Sequence, residues 1–269
     1  MAMLKRLVHF FANIINHHQM INALAIKDYQ GRFSGTLLGA TWSVIHPLSI
    51  TFVFWLVFSI GFRATGPVNI PFVLYFLAGY VPWTMFNESL STSTGTVVAH
   101  SYLVKKAVFP SEILPLSQIL TSIYNHLILL PITIGIILAH GYAPSLWMFQ
   151  VFYYFICIIV FTLGLSWMCA ALNVFYRDTS QVLLTILNFW FWMTPVVWHI
   201  GMVPERFRYL MHFNPMFYVI EGYRDSLIYQ HAFWENPKAA LIFWGTAITA
   251  VFLGSYVFRR LKPQFVDVL

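Results

Sequence analysis

The sequence predicts an all-α integral membrane protein with six transmembrane helices, and two observations carry that prediction. Charged residues make up 9% of the 269 positions and hydrophobic residues 59%, whereas soluble domains average roughly 25% charged. So few charges cannot build a water-facing surface. Apolar stretches also recur along the chain at the length of about 20 residues that carries a helix across hydrocarbon. Short polar segments between them gather the charges, and the whole reads as one membrane domain, 1–269.

Residues 1–30 read as a cytoplasmic interfacial element. Leu4, Leu7, Val8, Phe11, Ile14 and Ile15 recur at helical spacing, with Lys5, Arg6, His9, Asn13, Asn16 and His17 opposite. An amphipathic helix over 4–17 lies along a membrane surface; packing on a soluble partner is the alternative. A cleavable signal peptide is not expected, because the apolar stretch is short, broken by polar residues and lacks a small-residue cleavage site. Residues 21–30 add a second short piece ending in Lys27, Asp28, Tyr29 and Gln30. Gly31, Gly35 and Gly39 then recur every four residues. That spacing permits close helix approach, and a loop that needs glycine explains it equally well.

The spans are read at 37–61, 71–97, 113–139, 147–173, 180–199 and 238–258. The last third of the second is too polar for lipid: Asn87, Glu88, Ser89, Ser91, Thr92, Ser93 and Thr94 crowd it. Between the fifth and sixth lies 200–237, whose Glu205, Arg206, Arg208, Glu221, Arg224 and Asp225 keep it from crossing hydrocarbon. Its apolar residues suffice for it to dip into the outer interface.

Lysine and arginine set the orientation. With the N-terminus inside, the inner segments hold Lys5, Arg6, Lys27, Arg32, Lys105, Lys106, Arg177, Arg259, Arg260 and Lys262. The outer ones hold Arg63, Arg206, Arg208, Arg224 and Lys238, four of them in the long segment where the positive-inside rule is weakest. Both termini are therefore expected in the cytoplasm. The net charge of +6 sits at span ends rather than in a nucleic-acid stripe. Cys157 and Cys169 are twelve residues apart on one expected helix, about 18 Å along its axis. A disulfide needs Cα atoms within about 7 Å, so two free thiols are expected.

Catalytic constellations are missing. There is no G-x-x-x-x-G-K-[ST] phosphate loop, no Asp-x-Asp pair and no His followed five residues later by Asp. His17 and His18 are adjacent, so they do not share a helix face as metal ligands do. Glu88 is the main ionisable group within a span, the kind of residue a proton-coupled transporter requires. A polar helix end packed inside a bundle explains it without any relay. No internal repeat of the kind found in secondary transporters is legible.

The loop 99–112 is unusual. Tyr102, Leu103, Val108 and Phe109 are apolar yet flank Lys105 and Lys106 outside any span, and Pro110 breaks the segment. It could lie on the membrane or plug into a cytoplasmic partner. In the outer half of the fifth span, Phe189-Trp-Phe-Trp-Met-Thr-Pro-Val-Val-Trp198 turns aromatics to every side of a helix. An interfacial belt is one reading.

Four segments carry a resemblance. Gly31-Arg-Phe-Ser-Gly-Thr-Leu-Leu-Gly-Ala-Thr-Trp-Ser-Val-Ile-His-Pro-Leu48 and Val104-Lys-Lys-Ala-Val-Phe-Pro-Ser-Glu-Ile-Leu-Pro-Leu116 come first. Asn173-Val-Phe-Tyr-Arg-Asp178 and Phe213-Asn-Pro-Met-Phe-Tyr-Val-Ile-Glu-Gly-Tyr-Arg-Asp225 follow in order. Together they resemble the permease subunit of polysaccharide ABC exporters of the ABC-2 type, O-antigen exporters foremost and wall teichoic acid exporters next. The resemblance implies a homodimer in the bacterial inner membrane with two copies of a separate ATPase, which holds ATP and Mg; this chain has no cofactor. It implies ATPase contacts at the N-terminal helix, at Tyr102, Leu103, Lys105, Lys106, Val108 and Phe109, and at Arg177 and Asp178. It also implies short outer re-entrant helices over 203–212 and 216–231, and a path between the first and fifth spans of two protomers.

The implied cargo is a polysaccharide on a polyprenyl diphosphate lipid; a capsular polymer or another hydrophobic substrate is the alternative on the same scaffold. Given that cargo, Lys27 and Arg32 are the nearest cations for its diphosphate. Sugar rings offer C–H faces to aromatics, so Trp190, Phe191, Trp192 and Trp198 are candidates to line the path, with Phe217 and Tyr218 closing its outer mouth.

Overall fold

A computed structural model describes residues 16–63, 66–67, 70–106 and 109–269. The amphipathic segment expected over 4–17 thus lies almost wholly outside the described residues, as does Val108. The described chain is helical throughout, without strands. In order, α1 is His18–Phe33, α2 is Trp42–Trp55, α3 is Phe72–Ala99, α4 is Ser101–Val104, α5 is Ile113–Ala139 and α6 is Val151–Phe175. They are followed by α7, Thr179–Met193; α8, Glu205–Met211; α9, Pro215–Arg224; α10, Pro237–Leu261; and α11, Phe265–Val268.

Among the described residues, four helical stretches are long and apolar enough to cross a membrane: Gly39–Gly61, Ile113–Ala139, Leu146–Phe175 and Pro237–Val268. The chain is an integral membrane protein. Two of the six expected spans fall short of that measure for separate reasons. Helix α3 is long, at 28 residues, but its last third is polar. Helix α7 has 15 residues, about 22 Å at 1.5 Å per residue, against a hydrocarbon core of about 30 Å.

Within the expected fifth span, 180–199, the helix itself stops at Met193. Thr194 is extended (φ −96°, ψ 135°) because Pro195 follows and excludes the helical region for the residue before it. The apolar run continues to Trp198, which is why hydropathy alone carries the span too far.

The core forms around α3, which is buried along most of its length between α5, α6 and α9. Helices α6 and α10 pack together most extensively. Their crossing is made by Gly164 and Gly254, where a Cβ on either glycine would collide with backbone of the facing helix. Small residues permit such close approach in membranes, where packing rather than solvent exclusion drives helix association. By contrast α2 buries only Thr51, and α7 only Leu183 and Leu187.

Gly35 and Gly39 have positive φ, 78° and 54°, so they serve the turn between α1 and α2 rather than a helix crossing. Cys157 and Cys169 are both on α6 and free.

Candidate functional site

The helix ends gather at one face of the bundle. The end of α3, the start of α5, the end of α6, the start of α7 and the end of α10 lie there because these helices alternate in direction. A second core of Val97, Val104, Leu114, Trp167, Phe258 and Phe265 seals this end. The base of the 99–112 loop is clamped to it: Lys262 Nζ is 2.5 Å from Glu112 Oε2, and Trp167 donates its indole N–H to the Glu112 carbonyl at 3.1 Å.

Within the loop, the expected contact residues separate. Tyr102, Lys105 and Lys106 are exposed and Leu103 is half-buried. Phe109 instead packs against the second core, which makes it part of the fold's own support. Arg177 and Asp178 are exposed in the turn between α6 and α7 at the same end, beside Tyr176, which is 70% exposed. The Ser180 amide donates to Asn173 Oδ1 at 3.2 Å and fixes that turn.

Helix α1 docks on this end through a polar chain. Tyr124 donates to Asn22 Oδ1 at 2.9 Å. His100 Nε2 lies 3.4 Å from Asp28 Oδ1, and Gln118 Nε2 donates to Asp28 Oδ2 at 2.5 Å. Arg32 donates to Gln118 Oε1 at 3.4 Å and forms an ion pair with Glu88. Asn125 Nδ2 donates to the same Glu88 oxygen at 2.7 Å. The hydrogen bond that the imidazole gives to Asp28, opposed by burial, raises the His100 pKa above its ordinary value of 6.5. Glu88 is therefore engaged by partners from α1 and α5, the arrangement of a packed polar helix end rather than of an isolated proton carrier. Ser93 belongs to the same pattern, donating to the Pro115 carbonyl at 3.1 Å. Of the two cations expected at a lipid head, Lys27 is exposed, whereas Arg32 is held inward.

At the opposite end, Arg224 is fully buried. Its guanidinium donates to the Val196 carbonyl at 2.9 Å, the Tyr75 carbonyl at 3.3 Å and Glu221 at 2.6 Å, and lies 3.6 Å from the centre of the Tyr75 ring. The missing side chain of Gly79 makes room for it, since a Cβ there would stand 2.7 Å from the guanidinium. One arginine thus joins α3, the turn after α7, and α9. Sequence reasoning counted it only as an outer charge. Its clue is the i, i+3 spacing of Glu221 and Arg224 within an otherwise apolar helix.

The aromatics of α7 face different ways. Trp190 packs into the core and donates to Asn214 Oδ1 at 2.8 Å. Phe191 lies 5.5 Å from Trp83, centre to centre. Trp192 is 57% exposed. Trp198 folds back and donates to the Trp192 carbonyl at 2.9 Å. Phe217 is buried, and Tyr218 bonds Tyr153 at 3.0 Å and stacks on Phe243. Both serve α9 packing. Phe207 and Tyr209 at this end are also exposed, and the sequence reading did not single them out.

Long apolar helices and an end with exposed cations and aromatics describe a helical protein embedded in a membrane. The chain belongs to the ABC-2 type transporter family, whose sequence profile matches residues 19–228. It is 29% identical to the O-antigen export system permease protein RfbA of Klebsiella pneumoniae, over 90% of this chain and 92% of that one. It is 27% identical to the permease of the same name from Myxococcus xanthus, over 97% and 99%. The polysialic acid transport protein KpsM of Escherichia coli is 18% identical over 77% of this chain and 81% of its own.

Proposed function

We propose that this chain is the membrane subunit of an ATP-driven exporter that moves polyprenyl diphosphate-linked polysaccharide of the O-antigen type out of the cytoplasm. The observation that carries this reading is its likeness, over nine-tenths or more of its length, to proteins named as O-antigen export permeases. Two copies form the unit in the inner membrane, with both termini cytoplasmic. Helices α3 and α7 complete six spans, α3 shielded by its neighbours and α7 extended by the turn that follows it.

Two copies of an ATPase dock on the end that carries Tyr102, Leu103, Lys105, Lys106, Arg177 and Asp178. This chain hydrolyses nothing itself. The diphosphate meets Lys27 at the inner interface, and the polymer passes between α2 and α7 of the two copies along Phe191 and Trp192. A capsular polymer is the second reading, favoured by the likeness to a polysialic acid transport protein.

Deletion of the gene tests the function. The expected result is lipid-linked polymer accumulating on the cytoplasmic leaflet, with its sugars identifying the cargo. Normal surface polysaccharide and no accumulation overturn the reading. The purified chain is expected to show no ATP hydrolysis unless an ATPase co-purifies.

A further inference from the structure

A cleft of about 540 Å³ lies between α1, α2, α3 and α5, within the range of small-ligand sites. It exists because α2 stands away from the bundle, leaving Trp42 43% exposed, with Tyr80 of α3 further along the same cleft. Phe33 closes one side. Besides Arg32, the polar lining comes from Asn87, Glu88 and Asn125, from the hydroxyls of Ser43, Thr84 and Ser91, and from His46.

The electrostatics are specific. Among the described residues Arg32 is the only lysine or arginine lining the cleft, and it is ion-paired with Glu88. A diphosphate placed here would meet the Glu88 carboxylate and an arginine with its charge engaged. Asn125 spends its amide N–H on Glu88, and its carbonyl oxygen is buried without a hydrogen-bond partner. That oxygen is closed off from the cleft. Ser43, Thr84 and Ser91 give their hydroxyl protons to backbone carbonyls, which leaves their oxygens as acceptors, so the site favours a ligand that brings hydroxyl donors. Trp42, Phe33 and Tyr80 favour one with an apolar face. A pyranose has both: its hydroxyls can donate to Glu88 and to these hydroxyl oxygens while its C–H face lies on a ring.

We propose that this cleft binds a neutral sugar unit, the one nearest the diphosphate of the lipid-linked glycan, while the diphosphate stays outside it near Lys27. The identity of the carrier rests on the exporter reading; the preference for a neutral sugar over an anion rests on the cleft alone.

The test uses intact cells that carry the exporter. A photoreactive phenylalanine analogue replaces Trp42 or, separately, Asn87, with a third version at Leu241, an exposed residue of α10. After illumination, adducts are digested and the attached group is identified by mass spectrometry. The expected result is a sugar adjacent to the diphosphate at positions 42 and 87, and phospholipid at 241. Adducts at 42 and 87 that carry only phospholipid, polyprenyl tail or diphosphate oxygen overturn the proposal.

A second measurement stands apart from labelling. Trp42→Ala with Asn87→Ala is expected to slow polymer export at least tenfold, with lipid-linked polymer accumulating and ATPase binding intact. Export at the parent rate overturns the sugar site. If the gene deletion leaves export unchanged, the exporter reading fails instead, so the two failures are told apart.

Discussion

Arg32, at the end of α1, and Glu88, in the polar third of α3, form an ion pair across 56 residues of sequence. Asn125 of α5 supports the same carboxylate. Removing one partner strands the other in a half-buried setting. Glu88→Ala is expected to cost about 1–3 kcal/mol of stability, and Arg32→Glu with Glu88→Arg to recover most of it. A double-mutant cycle on the detergent-purified protein measures the coupling. Simple additivity of the two single changes would mean that the pair contributes nothing.

His100 and Asp28 make the docking of α1 depend on pH. The folded His100 value is raised, so its contribution is complete below about 6.5, the ordinary imidazole value, and is lost as pH rises through the higher folded value. Hydrogen exchange in α1 should quicken over that window, and Asp28→Asn should abolish the dependence. An α1 protected equally on both sides of the window would contradict this.

The exposed half of the 101–109 loop is expected to carry the drive from the ATPase. Burying an aromatic side chain such as Tyr102 contributes about 1.5–3 kcal/mol, tenfold or more in affinity. Tyr102→Ala with Lys105→Glu should therefore lower polymer exported per ATP at least tenfold, with normal membrane insertion. Phe109→Asp should instead lower the melting temperature, because Phe109 supports the second core. Unimpaired export by the first variant would make the loop a plain connector.

On α7, Trp192→Ala should slow export while leaving dimer assembly normal. Trp190→Phe should loosen the outer segment, since it removes the donor to Asn214. Proteolysis of 200–214 in membranes reads the second effect and polymer appearance at the surface reads the first. A Trp192 label found only on lipid would make the residue a belt anchor.

These contrasts mark what the sequence could and could not disclose. Helix α5 was legible because Pro110 and Ser111 precede a long, mostly apolar stretch without charged residues that ends before Gly141. The end of α7 was not, because aromatic hydropathy continues past Pro195 while backbone geometry does not. The polar residues of α3 announced a packed end, yet their partners lie on α1 and α5, far away in sequence. Which aromatics point outward depends on helix rotation, and a run with aromatics on every side leaves that undetermined.

At the α6–α10 crossing, Gly254→Ala is expected to cost about 1–3 kcal/mol through overpacking, because the added methyl would meet the Gly164 carbonyl. Thermal unfolding of the purified chain measures it. A neutral result would show that the helices separate freely there.

That crossing has a mechanical consequence. At the Gly164–Gly254 crossing the two helices touch backbone to backbone with no compressible side chain between them, so α6 and α10 are expected to travel as one beam. Arg224 bolts α9 to α3, which extends the rigid frame. On the exporter reading, width for a bulky polymer would then come from α2 and α7, the loosely seated staves of the bundle. Tolerance for chains of different thickness would be set by how far those two can part, leaving the frame indifferent to what passes.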